Sequence, residues 1–490
     1  MLDSGAMVVY FPCPRSATGE DMLEFHVHGG PAIIKAVLAA ISQCSTTTRA
    51  IRYAEAGEFT RRAFFNGKMD LRQAEALGDS LSAMTEQQRR LSVRGTTSRI
   101  GQGYESWRGL LLSARGELEA LIDFSEDQHF DESPAELISN VSQQVMALQA
   151  SLSAHISNAV KGELLRNGIG VSLLGAPNAG KSSLLNRIVG REAAIVSPEA
   201  GTTRDIVEVA VDIGGYLCRF GDTAGLRRAL CIAGVEIGDV EQEGIRRAKA
   251  RAAESDLVVV LMSIEIGNEA GPQLNLDAEV VQTAQSIVRS SGNILVAVNK
   301  IDQKPDTLST DKIRQLIQAA IPQLPASSIY LMACSTPSGT STSFNPEHDG
   351  IAPFIGGLVK KFDEMTTAVA VEGGAFEMAD PSVWQESLGA TERQRLLLEE
   401  CSAHLDTFLE LTGHETTVDV FGHRSEDDSE QKSSDRVNAA RHGVDEVDFV
   451  LAAEQLRAAA VCLSRITGRG EAGDVEEVLG VVFERFCVGK

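Results

Sequence analysis

The chain has 490 residues, which is too long for one hydrophobic core, so about two to four domains are expected. Its 45 basic and 68 acidic side chains give a formal net charge of −23, which argues against a general nucleic-acid coat protein, because phosphate binding needs a basic face. The eight cysteines include no CxxC pair, so neither a zinc knuckle nor a redox dithiol is indicated, and scattered thiols suit a reducing compartment.

The N-terminal part of the chain mixes short strand-like runs with a helix. The run MLEFHVHGG (22–30) predicts a strand that ends at a glycine pair, and PAIIKAVLAAIS (31–42) predicts a helix with proline in its first turn. His26 and His28 point the same way on that strand and could suggest a metal pair. Because no third ligand is near them, surface or packing histidines are the favoured interpretation.

From about Asp70 the pattern becomes helical. Apolar residues at steps of four and three predict one long helix, which Gly168 can end. The predicted stripe consists of Leu137, Val141, Val145, Leu148, Leu152, Ile156, Val160 and Leu164.

A strand-rich block follows. The apolar runs IGVSLLG (169–175), LVVVLM (257–262) and ILVAVNK (294–300) alternate with helical stretches, which is typical of a doubly wound parallel sheet. None of these runs approaches the length needed to span a bilayer. Two polar stretches, 334–350 and 422–436, are predicted to be unstructured, because they cannot bury enough apolar area to offset their ordering entropy.

Helices return after about residue 355. They are predicted for TERQRLLLEECSAHLDTFLEL (391–411), AEQLRAAAVCLSRI (453–466) and DVEEVLGVVFERF (474–486). Cys401 and Cys462 lie in these apolar runs and are expected to be small core residues. Helices on both sides of the strand-rich block indicate that the block is inserted into one discontinuous helical domain.

The sequence GAPNAGKS (175–182) has the P-loop pattern in its required context, after a strand and before a helix. Its turn can present backbone N–H groups to phosphates, Lys181 supplies a mobile positive charge, and the Ser182 hydroxyl can bind Mg²⁺. Asn178 either helps to hold a monovalent cation beside the β/γ bridge or only shapes the turn.

Two further elements follow the P-loop in the order typical of GTP-binding domains. GTTRD (201–205) offers Thr203 as a switch-type Mg²⁺ ligand. DTAG follows a strand-like run and can place Asp222 near the metal and the Gly225 amide near the γ-phosphate. The next residue is Leu226, so the glutamine that orients water in many GTPases is absent at this position.

The fourth element, NKID (299–302), ends the third strand run. The Asp302 carboxylate can accept two hydrogen bonds from guanine, a pair that adenine does not offer. Four elements in the correct order predict a GTP-binding domain. The predicted GTP contacts are Asn178, Ala179, Gly180, Lys181, Ser182, Ser183, Asp222, Thr223, Ala224, Gly225, Asn299, Lys300, Asp302, Ala333, Cys334 and Ser335.

Motifs over nearly the whole chain carry a resemblance to a known family. Inside the GTP-binding block they are GAPNAGKSSLLN, REAAIVSPEAGTTRD, GDTAGLR and VEQEGIRRA. Outside it they are TGEDMLEFHVHGGPAI (18–33), GEFTRRAFFNGKMDLRQAEA (57–76), IDF (122–124), SLGATERQRLLLEEC (387–401) and VLGVVFERFCVGK (478–490). These stretches resemble MnmE (also called TrmE), the tRNA-modification GTPases, and GATERQR looks like the eukaryotic organellar branch.

The resemblance implies a homodimer that works with the flavoprotein MnmG (GidA), which carries FAD. Together they would add an aminomethyl-type group to C5 of the wobble uridine of certain tRNAs. A 5-formyl- or methylene-tetrahydrofolate would supply the one-carbon unit, and GTP hydrolysis would move the G domains. No stable membrane association is expected. The implied location is mitochondrial, with no transit peptide visible, and the alternative is cytoplasmic.

The implied fold is multidomain, with a Ras-like α/β G domain inserted in a discontinuous all-α domain. The expected divisions are a partial α+β N-terminal domain for folate binding and dimerisation (1–66), the first helical part (67–166), the G domain (167–356) and the second helical part (357–490), which contains a disordered insertion (413–446).

The resemblance also implies roles for individual residues. Asn178, Ser197, Glu199 and Thr202 would bind K⁺, while Ser182 and Thr203 would bind Mg²⁺. Glu241 in VEQEGIRRA would orient water. Glu24, Lys68 and Lys490 would contact folate, and Cys487 is either a nucleophile beside that pocket or a packing residue.

Two departures from the family pattern affect these assignments. An extra stretch, RALCIAGVEIGD, separates GDTAGLR from VEQEGIRRA and contains a competing carboxylate, Glu236. The chain begins at MLDSGAMVVYFPCP, which matches the middle of the family's N-terminal domain. We therefore expect a truncated N-terminus or a damaged folate site.

Two other functions compete with this interpretation. A membrane-anchored signalling GTPase would carry a prenylated Cys487, but Gly489 and Lys490 fit the lipidation pattern poorly. A ribosome-assembly GTPase usually needs a basic RNA-binding module, and neither flank is strongly basic. A local basic set could contact tRNA phosphates or form a solvated helix face: Arg61, Arg62, Lys68 and Arg72.

Overall fold

The computed structural model describes residues 2–96, 99–124, 134–191, 194–195, 209–221, 252, 254–267, 271–290, 292–305, 308–334, 350–370, 381–413 and 448–468. The chain divides into two compact units. Residues 1–82, 91–162 and 368–490 form the first, called here the helical unit, and residues 83–90 and 163–367 form the second, called the sheet unit.

The described elements follow the predicted alternation of helical and strand-rich parts. The helices are α1 (Pro31–Gln43), α2 (Glu58–Phe65), α3 (Leu71–Ser82), α4 (Glu86–Gly95), α5 (Arg99–Phe124), α6 (Pro134–Asn167), α7 (Lys181–Arg191), α8 (Ala278–Ser290), α9 (Thr310–Ala320), α10 (Ile351–Thr366), α11 (Pro381–Ser387), α12 (Glu392–Leu411) and α13 (Phe449–Thr467). The strands are β1 (Met7–Phe11), β2 (Met22–His26), β3 (Ile169–Gly175), β4 (Ala194–Ile195), β5 (Val209–Ile213), β6 (Tyr216–Phe220), β7 (Leu257–Gly267), β8 (Gly271–Asn275), β9 (Ile294–Asn299) and β10 (Ile329–Leu331). Among the described helices, none has both the length and the apolar character needed to cross a bilayer.

The N-terminal strands β1 and β2 pair antiparallel. The strand predicted over 22–30 is confirmed as β2, although it ends at His26, before the glycine pair. The predicted helix 31–42 is confirmed as α1, with proline at its start.

The helical unit is built around one apolar core to which α5, α6, α12 and α13 contribute. The predicted helices 391–411 and 453–466 are confirmed as α12 and α13. Thr391 and Asp448 cap these two helices, each side chain accepting a hydrogen bond from a backbone N–H three residues on, which satisfies a donor that the helix itself cannot. The thiols of Cys401 and Cys462 are buried in this core, as predicted. The predicted helix 474–486 lies outside the described residues.

The long helix predicted by the apolar stripe is confirmed as α6, and Gly168 follows it in the left-handed region at φ +86°. The stripe is buried from Val141 to Leu152, but Val160 is 47% exposed, so that part of the prediction is wrong. Each step of four residues rotates the stripe by about 40° around a helix of 3.6 residues per turn. The three successive steps from Leu148 to Val160 therefore turn it by about 120°, off the core face. Leu165 is buried in place of Leu164.

A largely buried ion pair joins α3 to α12. Arg393 Nε donates to Glu75 Oε1 at 2.6 Å, and the Glu75 side chain is only 8% exposed. The same guanidinium also donates to the backbone oxygens of Arg465 and Ile466 at 3.0 and 3.2 Å. One side chain therefore connects three helices.

We expect Glu75→Ala to lower the free energy of unfolding of the helical unit by about 3 kcal/mol, because it leaves the Arg393 charge without its carboxylate. Urea unfolding followed by circular dichroism measures the effect. The matched control is Glu454→Ala, which breaks a pair with Arg457 in which both side chains are about half exposed, and should cost less than about 1 kcal/mol. Equal losses in the two variants would contradict the role given to Glu75.

The sheet unit contains the predicted parallel sheet. Its strands lie in the order β10, β9, β7, β3, β6, β5, β4, and β8 pairs with β7. The five strands from β10 to β6 are parallel, while β5, β4 and β8 pair antiparallel. The three predicted apolar runs are confirmed as β3, β7 and β9, and all six residues of β9 are buried, as expected for a strand covered on both faces. The carboxyl ends of these parallel strands meet at one edge of the sheet, which is where ligands bind in such folds.

Candidate functional site

A tight turn connects the carboxyl end of β3 to the first residue of α7. Two of its residues have left-handed backbone conformations, Asn178 at φ +60° and Gly180 at φ +100°. At Gly180 this conformation is combined with a close contact, because an added Cβ would lie 2.1 Å from Asn299 Nδ2. Only glycine satisfies both conditions.

The Lys181 ammonium lies against this turn. Nζ donates to the backbone oxygens of Gly175 and Ala176, at 2.7 and 2.9 Å. Carbonyl oxygens are weaker partners for an ammonium than charged phosphate oxygens are. The side chain can therefore exchange these bonds for a phosphate at the same turn.

Asn299 connects three segments of the site through the hydrogen bonds of its side chain. Its side chain is at the end of β9 and is 3% exposed. Nδ2 donates to the Ala179 oxygen at 2.9 Å, and Oδ1 accepts from the Cys334 N–H at 3.0 Å. One amide thus fixes the phosphate-binding turn, the NKID segment and the segment after β10 to each other. The NKID pattern predicted Asn299 as a GTP contact, but it gave no sign of this cross-linking role.

The rest of the NKID segment continues from that fixed point. Lys300 has a left-handed conformation at φ +60°, and Asp302 lies exposed in a short 3-10 helix. The segment is held to the strand edge by backbone bonds, since Met332 N donates to Val298 O at 2.8 Å and Ile301 N donates to Met332 O at 3.2 Å. The Asp302 carboxylate is therefore exposed at the edge of the sheet, on a segment whose backbone is hydrogen-bonded to the neighbouring strand end.

The remaining predicted contacts divide into two groups. Ser182 and Ser183 are exposed in the first turn of α7, Ala179 and Cys334 are buried, and Ala333 is half-buried. The other predicted site residues lie outside the described part of the chain: Ser197, Glu199, Thr202, Thr203, Asp222, Thr223, Ala224, Gly225, Glu241, Ser335, Cys487 and Lys490.

The described residues fit a nucleoside triphosphate. The first N–H groups of α7 have no acceptors within the helix, and together with Lys181 they form an anion-binding turn that a Cβ at Gly180 would disrupt. The exposed Ser182 hydroxyl has the chemistry of an Mg²⁺ ligand, and the exposed Asn178 amide oxygen that of a K⁺ ligand.

The two described folate candidates have separate surroundings. The Glu24 carboxylate is 43% exposed and lies 3.2 Å from His26 Nε2. Lys68 is exposed, and its side chain lies next to Gly19: the distance from Lys68 Cε to the place that a Cβ on Gly19 would occupy is 3.3 Å.

His26 and His28 are exposed, with His28 Nδ1 lying 2.6 Å from Asp3 Oδ1, so the surface interpretation of both histidines is confirmed. The His28 hydrogen bonds lower the pKa of Asp3 to about 2.

The predicted basic set near α2 and α3 is not one surface. Arg61, Arg62 and Lys68 are exposed, but Arg72 is 3% exposed, so its placement on a solvated face is wrong. The Arg72 guanidinium donates to the Gly95 oxygen at 2.8 Å and lies 3.5 Å from Asp70 Oδ2. It is a structural residue that links α3 to the end of α4.

Comparison with known proteins extends the assignment beyond this site. The family model described as MnmE helical domain matches residues 71–487, and the one described as GTP-binding protein TrmE N-terminus matches residues 1–68. The chain is 36% identical to tRNA modification GTPase MnmE of Parvibaculum lavamentivorans, over 100% of this chain and 87% of that protein. It is 36% identical to the human mitochondrial 5-taurinomethyluridine-[tRNA] synthase subunit GTPB3, over 99% of this chain and 81% of that protein. It is 34% identical to mitochondrial tRNA modification GTPase mss1 of Schizosaccharomyces pombe, over 99% of this chain and 84% of that protein.

The sheet and its turn define a P-loop GTP-binding domain. Helices that precede this domain in the sequence and helices that follow it share one apolar core. With family models matching 1–68 and 71–487, the chain belongs to the MnmE/TrmE family. The resemblance inferred from the sequence motifs is confirmed.

Proposed function

We propose that this chain is a GTP-hydrolysing enzyme of tRNA modification that acts on the wobble uridine. The observation that carries the proposal is the phosphate-binding turn, fixed by Asn299, in a chain whose family matches extend far beyond the GTP-binding domain. The names of the bacterial, human and yeast relatives support tRNA as the substrate. Matches outside the G domain favour this function over a signalling or ribosome-assembly GTPase.

The described residues account for GTP recognition. The β- and γ-phosphates would accept hydrogen bonds from the first N–H groups of α7, and Lys181 would exchange its two carbonyl partners for phosphate oxygens. Asp302 would accept from the guanine N1–H and amino groups. Because Asn299 fixes both segments, the distance between the phosphate and base sites is set before GTP binds.

Hydrolysis requires that charge developing on the phosphates be stabilised. Ser182 and Thr203 would hold Mg²⁺, and Asn178, with Ser197, Glu199 and Thr202, would hold K⁺. These cations supply positive charge beside the transferred phosphoryl group. Glu241 would orient the attacking water, since Leu226 stands where many GTPases have a glutamine.

The rest of the proposed reaction follows the family resemblance. A homodimer would act with an MnmG-type flavoprotein containing FAD and would add an aminomethyl-type group at C5 of uridine. Glu24, Lys68 and Lys490 would hold the tetrahydrofolate, and Cys487 would lie beside it. The mitochondrial names of two relatives support a mitochondrial location, while bacterial relatives are equally similar.

We expect GTP hydrolysis to be stimulated at least about tenfold by KCl relative to NaCl at fixed Mg²⁺ and GTP, because a cation held by Asn178 replaces the charge of an arginine finger. Phosphate release under multiple-turnover conditions measures this.

The matched variant is Asn178→Ala, which should lose the difference between the two salts when turnover is compared at saturating GTP. Equal turnover of the unmodified protein in KCl and NaCl would contradict the cation role. Such a result would contradict only the role of K⁺ and would not argue against GTP hydrolysis by this protein.

A further inference from the structure

Three side chains with metal-binding atoms meet between α12 and α13 in the helical unit. They are Glu400, His404 and Cys462, and one ligand atom from each lies within 4.8 Å of the others. Tetrahedral ligands of a zinc ion are about 3.5 Å apart, as follows from bond lengths of about 2.0–2.3 Å. A small side-chain adjustment would therefore bring the three atoms to zinc-binding distances.

The backbone positions explain why these side chains meet. Glu400 and His404 are four residues apart on α12 and so lie on one face of that helix. Cys462 comes from α13, which contributes with α12 to the same apolar core. The cluster thus connects two helices that are separated in the chain by residues 412–448.

The imidazole of His404 is already oriented. His404 Nδ1 lies 2.8 Å from Gln455 Oε1, an acceptor, so Nδ1 carries the hydrogen and donates it. The lone pair is then on Nε2. An outer hydrogen bond of this kind, which fixes the tautomer and raises the basicity of the other nitrogen, typically accompanies histidines that bind metal ions.

The three side chains of the cluster differ in their exposure to solvent. Cys462 is 2% exposed, His404 is half-buried and Glu400 is exposed. A metal ion here would have protein ligands on one side and water on the other, which is the arrangement of a zinc site with three protein ligands and one open position. Cysteine binds zinc as the thiolate, so metal binding here would displace the thiol proton of Cys462.

We propose that Glu400, His404 and Cys462 form a zinc site, completed by water, that joins α12 to α13. Thiolate, imidazole and carboxylate together favour zinc over magnesium or calcium, which prefer oxygen ligands alone. The site is distinct from the Mg²⁺ and K⁺ positions of the GTP-binding domain, and it does not depend on the proposed tRNA activity.

Cobalt(II) is the direct probe, because a thiolate bound to cobalt gives a charge-transfer absorption in the near ultraviolet. Full-length protein, freed of metal and nucleotide, is titrated with CoCl₂ and then with ZnCl₂. We expect a band that saturates at about one cobalt per chain and is lost when zinc displaces the cobalt.

The test variants are His404→Ala and Glu400→Gln, which change partly or fully exposed side chains and keep all eight cysteines. Each should weaken cobalt binding at least about tenfold. The control is Glu410→Gln, an exposed carboxylate on the same helix, which should leave the titration unchanged. A band with the same affinity in both test variants, or no band in the unmodified protein, would overturn the site.

Thermal unfolding gives a second measurement. A ligand that binds only the folded state raises Tm, and zinc at about a hundred times its Kd should raise the Tm of the helical unit by about 5 °C. At the same zinc concentration, a site weakened about tenfold should show about half of this rise in Glu400→Gln, and the full rise should persist in Glu410→Gln. Equal rises in both variants would also overturn the proposal.

Discussion

Gly180→Ala is expected to lower GTP affinity at least about a hundredfold. The residue has φ +100°, and the new Cβ would lie 2.1 Å from Asn299 Nδ2. Either the turn or the Asn299 side chain must move, and any movement breaks the bond from Asn299 to Ala179 or displaces the phosphate-binding N–H groups. Backbone strain of about 1–3 kcal/mol and a lost buried hydrogen bond of about 1–3 kcal/mol together account for this effect.

The matched control is Gly356→Ala in α10 of the same unit. A Cβ at Gly356 has no atom within 4 Å, and alanine favours a helix more than glycine does. Titration with a fluorescent GTP analogue should show unchanged affinity for this control. Tight binding by Gly180→Ala would contradict the account of the turn.

Asp302→Asn is expected to change the preference of the site from guanine to xanthine. The carboxylate accepts two hydrogen bonds from guanine, whereas an amide offers a donor where guanine also presents one. We expect GTP affinity to fall about a hundredfold, equivalent to about 3 kcal/mol, and the affinity for xanthosine triphosphate to rise, because xanthine has a carbonyl in place of the amino group. Competition between the two nucleotides for a fluorescent analogue measures both changes.

The control for this variant is Asp311→Asn at the start of α9, where the side chain is 84% exposed. It removes the same charge from the sheet unit and should leave both affinities unchanged. If Asp302→Asn kept its preference for GTP, the base would be recognised elsewhere.

The sequence predicted the elements of the fold well where the pattern is local. Apolar runs marked β3, β7 and β9, and helical spacing marked α6, α12 and α13. The prediction was wrong at Val160, because a repeat of four drifts around a helix of 3.6 residues per turn, and at Arg72, because a buried acceptor, the Gly95 oxygen, cannot be seen in sequence.

The candidate site shows the same division between local and distant information. The P-loop pattern located Asn178 to Ser182, since spacing within one turn determines that chemistry. The contacts of Asn299 with Ala179 and Cys334 join three distant segments, and no spacing rule indicates them. The same holds for Cys462, whose distance from His404 depends on how α12 and α13 pack.

The central claim, a GTPase that modifies tRNA, is tested most directly by the mass of wobble uridines. Nucleosides from the tRNA of cells that lack this protein are compared with those of cells that carry the unmodified chain or Gly180→Ala. We predict that the aminomethyl-type group at C5 disappears without the protein, returns with the unmodified chain and does not return with Gly180→Ala. Unchanged wobble modification in cells that lack the protein would contradict the account.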